Sequence, residues 1–326
     1  MSSVEGSTET TPAAPPVPAA PPARTRGRVL VVAAALLAVL MAGNSLVPNG
    51  IGHLGSLWQT VLPWSGVGVV LLLLLAVLRR SVPAAVAVLA PALVWTVLFG
   101  PALVDGRAGG GDFTVVSHNV NEENPDPGRT ARALAASGAD VLAVEELASR
   151  AQETFRHELA ARYPYSEVRG GVGLWSRYPL EEAAAVEIMP WTRAVRATVR
   201  TPRGPVALYA AHLASVRVHP AAGFTTGRRD EAAARLAEAV RAERLPRVVV
   251  VGDFNGSADD SALRGLTGPL RSAQREAGDG FGFTWPAAFP VVRIDQILVK
   301  GVAPRAAWTL PDTGSDHLPV AAALRL

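Results

Sequence analysis

The stretch RVVVVGDFN, Arg247–Asn255, decides how the larger part of this chain folds. Its four consecutive valines predict a buried strand, because short continuous runs of β-branched apolar residues are typical of sheets covered by helices. Gly252 permits a tight exit from the strand, and Asp253 and Asn255 face the same side if the backbone stays extended. Taken alone, the stretch is equally consistent with an ordinary turn stabilised by the Asp253 side chain, so its meaning depends on the rest of the chain.

Other short apolar runs in the chain also carry polar residues at their ends. They are FTVVSHNV, DVLAVEEL, VALYAAHL and RIDQILV, and segments with helical spacing lie between such runs at residues 129–136, 149–162 and 228–244. This alternation predicts an α/β domain whose sheets are covered by helices, with its chemistry gathered at one sheet edge. The polar residues at or beside the strand ends are Asn119, Glu146, His212, Asp295, Asp316 and His317.

The first third of the chain has a different composition. Residues 1–28 are rich in Pro and Ala and are predicted to form a disordered tail, because they have too few large apolar residues to offset the entropy of ordering. Apolar stretches follow at residues 29–47, 62–78 and 82–104, each near the roughly 20 residues that a helix needs to cross a bilayer. We therefore expect three transmembrane helices within residues 29–104. The alternative for the first stretch is a cleaved signal peptide, although AGNS is a poor cleavage sequence.

Arginines predict the orientation of these helices. The sequence RTRGR precedes the first apolar stretch, Arg79 and Arg80 separate the second from the third, and residues 48–60 contain no Lys or Arg. Since short basic segments stay in the cytoplasm, we expect a multi-pass protein of the cell membrane with a cytoplasmic tail and with the residues after 104 on the extracellular face. Residues 105–112 are predicted to be a Gly-rich linker to a globular domain over residues 113–326.

Composition excludes several classes of site. The chain has no Cys, so disulfide scaffolds, thiolate zinc sites and cysteine nucleophiles are excluded. The formal net charge is +3, but basic and acidic residues are nearly balanced after residue 105. This balance argues against tight, nonspecific binding of duplex nucleic acid, which requires many Lys and Arg contacts to phosphates.

Seven motifs carry a resemblance to a known family. In chain order they are HNVN, VLAVEEL, GLWSRYPL, HLAS, GDFN, RIDQILV and SDHLPV. In this order they resemble the endonuclease/exonuclease/phosphatase superfamily, which includes AP endonucleases, DNase I, neutral sphingomyelinases and inositol polyphosphate 5-phosphatases. The resemblance covers residues 113–326 and implies a four-layered α/β sandwich, in which two mostly antiparallel sheets pack face to face with helices outside. It also implies a Mg²⁺ site at one end of the sandwich, with Mn²⁺ as a possible substitute.

The resemblance further implies roles for single residues. The implied metal ligands are Glu146, Asn119 and Asp316. The implied catalytic residues are Asp253, which would activate the attacking water, Asn255, the pair Asp295 and His317, and His212. Glu145 falls where relatives often have Gln, and we assign it no contact with the metal.

Three further residues are candidates for contact with the substrate. Arg177 lies in GLWSRYPL and is also consistent with a solvated surface arginine. Trp285 lies in a loop just before RIDQILV, and loops at the edge of a rigid scaffold commonly carry binding residues. Asn121 stands where some AP endonucleases carry Asp, which argues against that branch of the superfamily.

The expected function is hydrolysis of phosphate esters at a membrane by in-line attack of water. The substrate could be a nucleic acid, a phospholipid head group or a small phosphoester, and no obligate protein partner is inferred. The alternative is a binding or sensing module that has kept the fold and lost turnover. The full set of acidic residues argues against it, because mutually repelling buried carboxylates are costly to keep without a use.

Overall fold

The computed structural model describes residues 27–219 and 221–326. All but the last two residues of the expected disordered tail therefore lie outside the described residues.

The apolar part of the chain folds into four helices, of which the first, third and fourth pack against one another. They are α1 (Arg28–Ala42), α2 (Leu54–Val61), α3 (Ser65–Leu78) and α4 (Val82–Phe99). A 3-10 helical turn at Leu62–Trp64 carries Pro63 and joins α2 to α3, so the proline does not break the helical path. Small apolar clusters lie where the helices meet, with Leu30, Ala76 and Ala84 at one end and Met41, Leu62 and Phe99 at the other.

Two helical units, Leu54–Leu78 and Val82–Leu103, are long and apolar enough to cross a membrane. Only 17% and 22% of their most apolar windows are buried, so most of these side chains do not serve a protein core. The expectation of three transmembrane helices is not supported. The helix α1 has 15 residues and spans about 22 Å, which is less than the roughly 30 Å of a bilayer's hydrocarbon core.

The rest of the chain contains two six-stranded sheets. The first has the strand order β13-β14-β1-β2-β4-β3 and the second β11-β12-β10-β7-β6-β5. The strands of the first sheet are β1 (Phe113–Asn119), β2 (Val141–Glu145), β3 (Tyr165–Arg169), β4 (Val172–Ser176), β13 (Ala303–Thr309) and β14 (Val320–Arg325). Those of the second are β5 (Leu180–Ala185), β6 (Ala194–Thr201), β7 (Gly204–Ala211), β10 (Val248–Asp253), β11 (Arg271–Ser272) and β12 (Asp295–Lys300). A small ribbon consists of β8 (Val218–His219) and β9 (Gly223–Phe224).

Both sheets are mixed. In the described part of the chain β1 pairs with β2 in parallel and β7 with β10 in parallel, while the other paired strands in these sheets run antiparallel. The five strands expected from FTVVSHNV, DVLAVEEL, VALYAAHL, RVVVVGDFN and RIDQILV are all present. The valines of β10 are fully buried, as a strand covered on both faces requires.

Helices cover the outer faces of the two sheets. They are α5 (Pro127–Ala136), α6 (Gln152–Leu159), α7 (Gly227–Arg241), α8 (Arg264–Thr267) and α9 (Ala273–Ala277). One apolar cluster fills the space between the sheets, a second joins α7 and α8 to the second sheet, and a third joins α5 and α6 to the first. The domain is therefore an α/β sandwich of two packed sheets with helices outside.

Gly252 is required where β10 approaches β7. Its φ is 138°, and a Cβ atom there would lie 1.8 Å from the carbonyl oxygen of Ala211.

We expect Gly252→Ala to lower the free energy of unfolding by more than about 2 kcal/mol, since both the backbone angle and the close approach disfavour a side chain. Thermal unfolding of the full chain in detergent measures this. In the matched control Gly265→Ala the added Cβ meets nothing within 4 Å, and a comparable loss there would contradict the explanation.

Candidate active site

The topology of the two sheets brings the polar strand ends to one edge. In the first sheet the parallel strands β1 and β2 end beside each other, with Asn119 paired to Glu145. In the second sheet β7 and β10 run parallel and end at the same edge, where the antiparallel strand β12 begins, so that Asp253 lies directly opposite Asp295. This register explains how residues far apart in the sequence meet.

The side chains from the two sheets line one cleft. A cavity of about 280 Å³ is bordered by Glu146, Asp253, Asn255, Asp316 and His317, among other residues. His212 links the sheets, because its Nε2 atom lies 3.5 Å from Glu146 Oε1 and 3.7 Å from Asp253 Oδ2. The structure therefore places Glu146 of the first sheet beside Asp253 of the second.

Asp253 is buried and oriented by two donors. The Asn119 side chain donates from Nδ2 to Oδ2 at 3.0 Å, and the Asn255 backbone amide donates to Oδ1 at 2.8 Å. Burial and then the nearby Asp295 carboxylate raise the pKa of Asp253 to about 7. A carboxyl group with a pKa near neutrality is suited to accepting a proton during a reaction.

His317 forms a close pair with Asp295. Its Nδ1 lies 3.0 Å from Asp295 Oδ2, and its Nε2 lies 3.8 Å from Asp253 Oδ2. Burial lowers the pKa of His317, but Asp295, Asp253 and Asp316 outweigh this effect and raise the pKa to about 10. The ring is therefore a cation at neutral pH, in which Nδ1–H donates to the Asp295 carboxylate and Nε2–H faces Asp253.

His212 differs from His317 in charge. Burial, followed by the charges of Arg193 and His317, holds the pKa of His212 well below its usual value. Arg193 Nη1 lies within hydrogen-bonding distance of both ring nitrogens of His212, and because arginine has only donors, the neutral ring accepts from it. The arginine therefore orients the histidine. Arg193 lies outside the seven motifs, so the sequence does not mark it as a site residue.

Three residues at this edge have left-handed backbone conformations. The φ angles are 54° at Glu146, 48° at Asn255 and 61° at Asn121. Such angles cost about 1–3 kcal/mol for a residue other than glycine and persist where the surroundings impose them. The strain coincides with the strand exits that turn these side chains into the cleft.

The donor atoms in the cleft suit a hard divalent cation. Carboxylate oxygens of Asp253 and Asp295 lie within 4.8 Å of one another, and the carboxylates of Glu146 and Asp316 line the same cleft. Several carboxylates crowded at a buried edge repel one another, and a cation with oxygen ligands relieves that repulsion. The residues present therefore fit a Mg²⁺ or Mn²⁺ ion.

Glu145 is a member of this acidic cluster that sequence analysis set aside. It is fully buried, and Ser117 Oγ donates to its Oε1 at 3.1 Å. Burial and then the charge of Asp295 raise its pKa well above the usual value. The sequence shows two consecutive glutamates, Glu145 and Glu146, at this strand end. The resemblance implies a metal-binding role only for Glu146.

Asp316, Asn121 and Trp285 form the outer rim of the cleft. Asp316 is exposed and accepts from Asn121 Nδ2 at 3.1 Å and from Trp285 Nε1 at 3.3 Å. Trp285 keeps 40% of its surface exposed and borders the cavity. These residues stand where an incoming substrate would pass.

Arg177 does not lie with these residues. It follows β4, which is antiparallel to β2 with Ser176 opposite Val141, so Arg177 is at the opposite end of β2 from Glu145. Its guanidinium lies 3.7 Å from Asp140 Oδ1 and stacks over the Tyr163 ring at 5.9 Å. The structure therefore does not bring Arg177 to the cleft, and the antiparallel direction of β4 is the reason.

Comparisons with known proteins agree with this architecture. Residues 116–317, more than half of the chain, match the model of the Endonuclease/Exonuclease/phosphatase family. A comparison with curated protein sequences finds no match.

Solved structures with low sequence identity share the fold. D. rerio TDP2 complexed with single strand DNA product is 18% identical with a TM-score of 0.56, covering 66% of this chain and 99% of that chain. An endonuclease/exonuclease/phosphatase from Bacteroides vulgatus is 16% identical with a TM-score of 0.55, covering 66% and 98%. A mutant of Staphylococcus aureus beta toxin with bound magnesium ions is 16% identical with a TM-score of 0.52, covering 65% and 99%.

The charge of His317 should depend on Asp295. In the folded state the pKa of His317 is about 10, above the ordinary histidine value of about 6.5. The Asp295–His317 pair therefore contributes its full stabilisation below about pH 6.5, and this contribution is lost as the pH rises through about 10. We expect Asp295→Asn to lower the His317 pKa and to remove this decline in stability. The His317 ring signal, followed by ¹⁵N NMR against pH in EDTA, measures the change. Asp279→Asn, which removes a carboxylate paired with Arg107, is the control, and an unchanged His317 pKa in Asp295→Asn would contradict the assignment.

Proposed function

Because this chain belongs to the Endonuclease/Exonuclease/phosphatase family, we propose that it is a divalent-metal-dependent hydrolase of phosphate esters. Members of the superfamily are typically phosphoester hydrolases. The observation that carries the proposal is the convergence of Glu146, Asp253, Asp295, His317 and His212 at one cleft between the two sheets. Their roles follow from their charges and hydrogen bonds.

Asp253 is the proposed general base. Its Oδ1 and Oδ2 are held by Asn255 and Asn119, so the carboxylate has a fixed direction toward the cleft. A pKa of about 7 lets it accept a proton from a water molecule while remaining partly ionised near neutral pH. The oxygen of that water then attacks phosphorus in line with the leaving oxygen.

The two histidines have complementary tasks at the phosphate. His317 is cationic and, through Nε2, stabilises negative charge on the phosphoryl oxygens as it builds up in the transition state. His212 is neutral and contributes a hydrogen-bonding ring at the cleft without bringing a second cation beside His317. Asp295 holds the His317 ring in place, and Arg193 does the same for His212.

A Mg²⁺ ion, held by Glu146 with Asn119 and Asp316 nearby, would polarise a phosphate oxygen and neutralise part of the ester's charge. Mn²⁺ has the same preference for oxygen ligands and would substitute for it. Asn255, Asn121 and Trp285 are positioned to contact the ester, the first from the cleft wall and the other two from its rim. Nucleic acid, phospholipid head groups and small phosphoesters all contain the bond that this chemistry cleaves.

We also propose that the catalytic domain is attached to a cell membrane through the two apolar helical units. Their apolar side chains are largely exposed, as a protein surface facing lipid requires. Arg79 and Arg80 lie in the turn between the two units, so this turn is expected on the cytoplasmic side and the catalytic domain on the opposite face. Gly27 lies against Ser81, which puts the start of α1 on the side of that turn.

Asp253→Asn tests the hydrolytic proposal. In the full chain, purified in detergent with Mg²⁺, we expect the variant to hydrolyse methyl 4-nitrophenyl phosphate at least about a hundredfold more slowly, because an amide cannot accept the proton of the attacking water. Release of 4-nitrophenolate measures the rate. The control Asp259→Asn removes an exposed carboxylate that pairs with Arg275. Equal rates for wild type and Asp253→Asn would reject the role of Asp253, whereas phosphate binding without turnover by wild type would favour a sensing module.

Protease accessibility tests the proposed orientation. Protease added to intact cells should remove residues after about 104, because the catalytic domain is expected outside. Immunodetection of a tag at the C-terminus measures the loss. Complete protection in intact cells, together with cleavage in permeabilised cells, would reverse the orientation.

A further inference from the structure

A segment outside the family match lies against the active-site domain. Residues 52–64, here called the rim segment, comprise the end of the loop after α1, the helix α2 and the turn that leads to α3. The Gly52 carbonyl accepts a hydrogen bond from the Phe224 backbone amide at 2.9 Å, and the His53 Nδ1 atom lies 2.9 Å from Thr226 Oγ1. The rim segment therefore packs on β9 and on the start of α7.

Buried polar contacts fix the rim segment in place. Ser56, completely buried, donates from Oγ to Asp260 Oδ1 at 3.0 Å and accepts from Arg229 Nη2 at 3.3 Å. Arg229 and Asp260 form an ion pair of 2.8 Å in which both side chains are fully buried. Gln59, 1% exposed, accepts through Oε1 from the Ser261 backbone amide at 2.8 Å. Separating the rim segment would leave the buried groups that bond Ser56 and Gln59 without these hydrogen bonds, which is costly.

The same contacts reach the proposed active site. Arg229 Nη1 donates to the backbone carbonyl oxygen of Asn255 at 3.2 Å, and Asn255 borders the cleft. At the other end of the segment, Trp64 Nε1 donates to the Val291 carbonyl at 2.8 Å and its ring stacks on Phe283 with centroids 5.8 Å apart. The segment is thus held against loops on both sides of the cleft.

Thr60 of α2 lines the cleft itself. The cleft is lined by acidic residues and His317 and also by the apolar side chains of Val216, Phe224, Trp285, Val292 and Ile294. Thr60 belongs to the same lining, and its hydroxyl is already used in a hydrogen bond to the Ser56 carbonyl at 2.8 Å. Beyond Thr60 the chain continues directly into the exposed apolar surface of α3.

We propose that the rim segment is a wall of the substrate cleft and that Thr60 is a specificity residue, selecting phosphate esters that carry an apolar group. The phosphate binds at the acidic and histidine end, and the apolar group lies along the side formed by Thr60, Phe224 and Ile294. This inference rests on the proposed hydrolase function and names the substrate class of that site.

Charge and apolar surface favour this class over nucleic acid. Among the described residues that line the cleft, none is Lys or Arg, whereas a polyanionic strand needs cations along its path. An apolar group gains free energy when it leaves water, by a factor of about four in binding for each buried methylene group. The bilayer-facing helices adjoin the same side, so a lipid in a membrane and a free amphiphile present the same chemistry to the cleft.

Four esters with one leaving group test the proposal in the full chain with Mg²⁺. They are methyl, n-octyl and hexadecyl 4-nitrophenyl phosphate, the last in phosphatidylcholine vesicles, and the 4-nitrophenyl ester of thymidine 5′-monophosphate. We expect kcat/KM for the octyl ester to exceed that for the methyl and nucleoside esters at least about tenfold, the gain from burying two methylene groups. Preference for the vesicle-bound ester over the octyl ester identifies the membrane as the source, and the reverse identifies a soluble amphiphile.

Substitutions of Thr60 test whether this residue forms part of the cleft wall that contacts the apolar group of the substrate. Thr60→Trp fills the apolar side and should reduce the octyl-to-methyl ratio of kcat/KM at least about fivefold. Thr60→Ala removes the methyl contact without adding bulk and should reduce the same ratio about threefold, which decides the question if the Trp variant does not fold. The control is Thr96→Trp, because Thr96 is an exposed helical threonine whose hydroxyl also bonds the carbonyl four residues earlier.

The outcomes separate the two proposals. If wild type hydrolyses none of the four esters, the proposed hydrolase function fails. If it hydrolyses the methyl and nucleoside esters without a gain for the octyl chain, the hydrolase function stands and the amphiphile inference is overturned. If the octyl preference is present but unchanged in both Thr60 variants, Thr60 is not part of the specificity wall.

Discussion

The structure depends on a concentration of carboxylates at the edge where both sheets end. Asp253 and Asp295 face each other across neighbouring strands, and Glu145 is buried beside them. Burial and mutual repulsion disfavour their ionised forms, which is why the pKa values of Asp253 and Glu145 rise. His317 offsets part of this repulsion because it is held as a cation. A divalent cation would offset more of it, so the same electrostatic constraint connects the fold to the proposed chemistry.

The two histidines show how neighbours assign different tasks to the same side chain. His317 faces carboxylates and is raised to a cation, whereas His212 contacts Arg193 and stays neutral. Both present Nε2 to the same region of the cleft. Negative charge on the phosphoryl oxygens increases during attack, and a cationic ring beside a neutral one suits that change. Because both rings are already held in place, they need no reorganisation when the charge develops.

The apolar helices and the active-site domain form a continuous structure in the described residues. The buried pair Arg229–Asp260 is completed by Ser56 of α2 and also supports the Asn255 carbonyl. The helical region is therefore part of the structure around the cleft, since α2 contributes contacts there. Most of the apolar side chains of its two long helical units are exposed.

The sequence by itself determined the strands, their polar ends and the family, because apolar runs and motif order are local properties that one chain displays directly. It also identified Asp253 and His317 as site residues that the structure brings together. Only the tertiary structure decided that Arg177 lies at the end of its sheet away from the cleft, because a sequence motif does not show in which direction its strand runs. The tertiary structure also decided the place of Thr60 in the cleft. The helix α2 that carries it is held by contacts between residues about two hundred positions apart, such as Ser56 and Asp260, and such pairings depend on how the layers pack.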